Sequence, residues 1–155
     1  MRRAAASPTR SAEAGSAVVE FVVVAVALLI PIAYLVPAAA AVQSAAFAST
    51  QAVREAGRAF STAATEVDGR QRALAAARLA FSDHGLVLPP GSLRVTCPEG
   101  PCLTPGSVVA VDLAWSVALP WLPGSLDSDV PARVPVTATH RVPVDDLRSS
   151  PGTAS

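Results

Sequence analysis

FVVVAVALLIPIAYLVPAAAAV, residues 21–42, is a run of 22 positions without a single charge. Wound as a helix it is about 33 Å long, enough to cross a bilayer core of about 30 Å. Twelve of its positions are Phe, Val, Leu or Ile. On a biological insertion scale these sum to about −5 kcal/mol in favour of the membrane. Pro31 and Pro37 fall inside the run; prolines are tolerated in membrane helices and are expected to bend this one. Arg2, Arg3 and Arg10 precede it, so the positive-inside rule leaves the N-terminus in the cytoplasm and the rest of the chain outside. The competing reading of such a run is a buried core helix.

Outward from that run, the remaining composition narrows the function. Charged residues make up 15% of the 155 positions and apolar ones 51%, with a mean hydropathy of +0.42. Intrinsic disorder over most of the chain is thereby excluded. Twelve Arg balance twelve Asp and Glu, so no phosphate-neutralising excess exists and no nucleic-acid partner is expected. Lys and Asn are absent, as GC-rich coding would give. Two cysteines, Cys97 and Cys102, are too few for a disulfide framework or a four-Cys zinc site.

Glu20 stands directly against the hydrophobic run, inside GSAVVEFVVV. A carboxylate within hydrocarbon costs about 3 kcal/mol. The plain reading is an interfacial acid in the first helical turn, favoured by the helix dipole. A more specific partner exists if the chain is cut after Gly15. Ser16 then carries a free ammonium four positions before Glu20, and positions i and i+4 share a helix face.

A basic leader, a Gly, four mostly apolar residues, then Glu and an aromatic at the head of an apolar helix is the type IV prepilin pattern. Gly15-Ser16-Ala17-Val18-Val19-Glu20-Phe21 matches it position by position. More narrowly, the chain resembles the TadE-like minor pseudopilins of tight-adherence (Flp-type) pilus systems. The segment Gln51-Ala52-Val53-Arg54-Glu55-Ala56-Gly57-Arg58 is similar to their Ala-rich EA-R pattern. The likeness is specific over residues 14–60 and loose afterwards, and the two prolines depart from it, against a straight helix. It implies cleavage between Gly15 and Ser16 by a prepilin peptidase, with Glu20 serving processing or assembly. It also implies pilin or pseudopilin subunits and pilus-base membrane proteins as partners, beside the lipid bilayer itself.

Beyond the anchor (residues 16–42, after a leader of residues 1–15), residues 43–84 are rich in helix formers. Val53, Phe60, Val67, Leu74 and Phe81 recur every seven positions, with Ala56, Ala63 and Ala77 three after their predecessors. This predicts an amphipathic stripe, broken or kinked at Asp68-Gly69. Ala48, Ala52 and Ala56 permit close approach, either to neighbouring helices or to the chain's own sheet. His84-Gly85 reads as a helix stop, and Pro89-Pro90-Gly91 as a linker. Residues 93–97, 107–119 and 132–144 alternate as strands, the last demoted to an edge by Pro135 and Pro143. The expected fold is α+β: a transmembrane helix continuing into an Ala-rich helix packed on a small antiparallel sheet (residues 91–145), with a loose tail over residues 146–155.

Cys97-Pro98-Glu99-Gly100-Pro101-Cys102 falls where two strands turn, which favours a disulfide outside the cytoplasm over free thiols. A zinc site with His84 and His140 finds no support in spacing. No GxSxG, phosphate loop, HExxH or GxGxxG occurs, so neither enzyme nor cofactor is expected. Asp127 and Asp129 read as a solvated loop rather than a calcium site. Loss of residues 1–15 removes three Arg and one Glu, taking a neutral chain to −2. Two rivals remain: a secreted protein cut near Ala40, and an uncut single-pass protein with a ligand-binding exterior.

Overall fold

The computed structural model describes residues 10–98, 100–119 and 133–147, with side chains from Ala17 onward. Helix α1 covers Arg10–Ser61 and passes through both Pro31 and Pro37. It is followed by α2 (Glu66–Asp83) and the strands β1 (Leu93–Thr96), β2 (Val108–Ala118) and β3 (Arg133–Pro143). The fold is therefore α+β. The chain divides into two compact units, Met1–Ala39 and Ala40–Ser155. The first is described with the functional site below.

In the second unit the three strands form one antiparallel sheet in the order β1-β2-β3. Its inner face carries Val109, Val111, Leu113 and Val117 of β2, all buried. The two helical segments cover that face. Ala48, Ala52, Val53, Ala56 and Phe60 of α1 join Ala73, Ala77 and Phe81 of α2 in one core with Val109, Val111 and Leu113. The small residues let the helix backbone come close to the strands: a Cβ added to Gly57 would lie 3.2 Å from Val142 Cγ1. The alanines anticipated for close packing are thus spent on the chain's own sheet. Trp115 closes the middle of the core. Its ring meets Phe81 edge-on at 5.1 Å, and its Nε1 donates to Ser49 Oγ at 2.9 Å. Ser49 in turn donates to the Ala45 carbonyl at 2.7 Å, so a wholly buried hydroxyl is satisfied both ways.

The ladder explains the prolines of β3. Ala114 N–H donates to the Ser92 carbonyl at 3.0 Å, so even-numbered N–H groups of β2 turn toward β1 and odd-numbered ones toward β3. Val111 pairs with His140 without slippage along the whole strand, and Val144 N–H reaches the Ser107 carbonyl at 2.8 Å. Even-numbered N–H groups of β3 therefore face β2, and odd-numbered ones face outward. Pro135 and Pro143 both fall on the outward alternation, where a missing N–H costs the ladder nothing.

The helix break lies earlier than Asp68-Gly69. α1 ends at Ser61, where Ser61 Oγ, Thr62 Oγ1 and Thr62 N–H all compete for the Arg58 carbonyl, at 3.2, 3.0 and 3.3 Å. Thr62 N–H keeps its i→i−4 bond, and Ala63 N–H closes the turn on the Phe60 carbonyl, three residues back, at 3.1 Å. Thr65 then caps α2, its side chain accepting from Asp68 N–H at 3.2 Å. Asp68 belongs to a capped first turn with acids at Glu66 and Asp68. The break shifts the helical phase, so two positions of the expected stripe leave the core, Val67 at 69% exposure and Leu74 at 37%, while Ala63, Ala77 and Phe81 stay buried. Gly69, far from breaking a helix, is buried because Phe60 lies on it; an added Cβ would sit 3.0 Å from Phe60 Cδ2. The stop at His84-Gly85 is as expected. Gly85 adopts φ 68°, and Leu86 N–H and Gly85 N–H bond back to the Phe81 and Ser82 carbonyls, both at 2.9 Å, a Schellman closure. We expect Gly69→Val to destabilise the second unit by about 1–3 kcal/mol through overpacking against Phe60, read as a lowered thermal midpoint.

Candidate functional site

One helical span, Ala17–Ser61, is long and apolar enough to cross a membrane, with a window of mean hydropathy 2.6 that is 0% buried. From Ala17 to Ala33 every side chain is exposed: Phe21 is 73% exposed and Ile30 65%. A helix apolar all round has no solvent-facing side. Glu20 is the sole charge between Ala17 and Val53, and it too is exposed. Pro31 and Pro37 withhold N–H groups from the carbonyls of Ala27 and Ala33. Tyr34 is the only hydroxyl-bearing side chain of residues 21–42. Its Oη is buried without a hydrogen-bond partner among the described residues.

Gly15, Ser16, Glu20 and Phe21 all lie within α1, so Ser16 and Glu20 stand one turn apart along a single helix. The backbone at the expected cleavage point is helical. A peptidase acting there has to open a turn around Gly15, where glycine lowers the cost by about 1 kcal/mol relative to Ala.

In the second unit, Cys97 and Cys102 form a disulfide with a Cα–Cα separation of 5.1 Å within the loop between β1 and β2. The carboxylate of Glu66, in the first turn of α2, accepts from Cys102 N–H at 3.1 Å. Arg70, one turn on, donates to the Val95 carbonyl at 3.2 Å. Its guanidinium is 3.8 Å from the Glu66 carboxylate and 6.0 Å from the centre of the Phe60 ring. The first turns of α2 therefore clip both ends of the disulfide loop. This clip was not read from the sequence, although an acid one residue after a Thr cap was its available signal.

His84 Nε2 lies 3.2 Å from Gln51 Oε1, and His140 sits partly buried beside Gly57 on the sheet's inner face. Neither meets a further ligand: among the described residues no three His, Cys, Asp or Glu converge to hold a metal. Glu99, Asp127 and Asp129 lie outside the described residues. An open apolar recess of about 380 Å³ lies against Ala64, Pro101, Leu103 and Pro105. Its one carboxylate, Glu66, is already engaged with Cys102 N–H and Arg70.

Fold and site together define a class: one apolar helix carrying a small disulfide-closed α+β unit. No family model matches the chain, and neither a curated protein nor a solved structure is detectably similar to it. Opening the ring with Cys97→Ser and Cys102→Ser together should cost about 2 kcal/mol by restoring freedom to the unfolded loop, measured as a reduced denaturant midpoint against the oxidised parent.

Proposed function

We propose that this chain is a membrane-anchored structural subunit for assembling a tight-adherence type IV pilus or related secretion apparatus, a TadE-like minor pseudopilin. The observation that carries the reading is Glu20, an exposed carboxylate in α1 standing directly before a stretch, residues 21–53, that carries no charge. A charge placed there wants a counter-charge, since an unpaired acid in hydrocarbon costs about 3 kcal/mol. Cleavage after Gly15 creates one at the Ser16 amine, either in the same chain or in a neighbouring copy. In this reading the N-terminus faces the cytoplasm, the exterior unit is extracytoplasmic, and the prepilin peptidase and other pilin-like subunits are the protein partners. The exterior unit then supplies shape and rigidity to an assembly rather than chemistry.

The secreted reading has one observation of its own. A cut near Ala40 falls at the boundary between the two compact units and leaves the exterior core intact. The N-terminal residue of protein recovered from membranes separates the readings by mass spectrometry. Ser16 is expected for the pseudopilin; about Ala40 marks a secreted protein and Met1 an uncut anchor. Glu20→Ala should still insert in the membrane while processing or assembly fails. Normal pilus assembly by that variant would overturn the role given to the carboxylate.

A further inference from the structure

The exterior unit distributes its charge unevenly along α1. Ala45 packs with Val117 and Val136, joined by Val42 and Leu86, whereas Phe60 packs near the other end of the helix, against Arg70 and Gly69. The chain enters this unit at Ala40, so the cluster around Ala45 marks its entrance end, within about 8 Å of helix from Ala40. Four described segments meet at that end: residues 40–48, 84–92, 114–119 and 133–136. Together they hold one formal charge, Arg133, and one histidine, His84. The remaining described charges of the unit lie on residues 54–83, 94, 112 and 141–146.

Within this end, the loop of residues 84–92 holds its side chains in a definite way. Leu88 is buried at 8% exposure and Leu86 packs into the core, while Val87 between them is 85% exposed. The loop is fixed at both sides. Gly85 and Leu86 close the helix end, and Ser92 Oγ and N–H both bond to the Pro89 carbonyl, at 2.7 and 3.3 Å, across Gly91 with φ 74°. Val87 is therefore presented outward by a braced loop, not left outside by a frayed one. Phe47, 66% exposed, lies toward the same end of α1 but in a recess it shares with Arg54, Glu55 and His84, so Val87 alone carries the contact.

We propose that this end of the exterior unit rests on the bilayer, with Val87 seated in the lipid interface as a second contact beside the anchor. The inference depends on the anchored reading given above. Lipid is the occupant because the chain enters the unit at this end straight from its apolar stretch in sequence, the four described segments hold no acid, and Arg133 has the sign that suits lipid phosphate. Tethering makes a weak contact sufficient, since the anchor holds the loop at high effective concentration near the membrane. Apolar side chains at headgroup level are favoured there.

The test uses the full chain in nanodiscs of phosphatidylcholine and phosphatidylglycerol. An environment-sensitive fluorophore is placed on Val87→Cys, with the Cys97–Cys102 bond verified closed. Val67→Cys, at a position 69% exposed in the first turn of α2, is the reference. Headgroup-attached nitroxide lipids should quench the probe at 87 several-fold more than at 67. Equal, weak quenching at both sites, in a chain that still floats with lipid, overturns the inference and leaves the anchor standing. A blue-shifted but unquenched probe at 87 also overturns it, because protein then covers the loop. Failure to float removes the anchor and this proposal together.

Discussion

The second unit depends on one contact: the Ala-rich half of α1 lying on the apolar face of β2. Three strands with a single buried face cannot hold themselves together in water. The covering helix has to come close, and it does so with Ala45, Ala48, Ala52, Ala56 and Gly57, whose small side chains bring the backbone within reach of Val111 and Val142. Bulk is supplied only where the surfaces diverge, by Phe60 and Phe81, both wholly buried. Larger residues at the alanine positions would push the helix off the sheet and expose Val109, Val111 and Leu113 to water, at about 1.5–3 kcal/mol for each side chain. The same continuous helix thus belongs to both units, as an apolar rod in one and as half of a core in the other.

Much of this was legible in the residues. Period-two alternation through Val109, Val111, Leu113 and Trp115, and through Val134, Val136 and Ala138, placed β2 and β3 within a residue or two of their observed ends. The proline pair of β3 identified an edge strand, and the ladder supplies the reason: both prolines lie on the alternation that donates to nothing. Gly85 marked the end of α2 because a left-handed closure there needs a residue without Cβ. The disulfide followed from a short Pro- and Gly-bearing turn between two strands.

The misplaced helix break has a plain physical origin. Asp68-Gly69 resembles a turn signal when considered alone. Thr65, three residues earlier, makes Asp68 the third position of a capped helix, while the preceding one has already closed at Ser61. Sevenfold spacing of Val53, Phe60, Val67, Leu74 and Phe81 then failed at Val67 and Leu74, because a pattern predicts a face only within one unbroken helix. Ser49 and Trp115 were hidden differently. An indole N–H in a core needs an acceptor, but the sequence separation of 66 residues cannot be bridged without knowing that helix and strand run side by side. The Glu66 clip on Cys102 is of the same non-local kind.

The charge-free part of the chain is longer than any bilayer requires, and the structure explains the surplus. No charge occurs from Phe21 to Val53, a run of 33 residues, which makes a helix of about 50 Å against a hydrocarbon core of about 30 Å. Hydropathy alone cannot divide such a run. Burial can: side chains from Ala17 to Ala33 are uniformly exposed, whereas Ala45, Ala48, Ser49, Ala52 and Val53 are enclosed by the chain's own strands and second helix. The first stretch has no covering surface within its own unit, and the second has one. An exposed apolar helix long enough to cross a bilayer and a folded core exclude charge equally well, and the boundary between the two compact units falls within the alanine run at residues 38–41. Alanine suits that boundary because it is helical in either setting and large in neither.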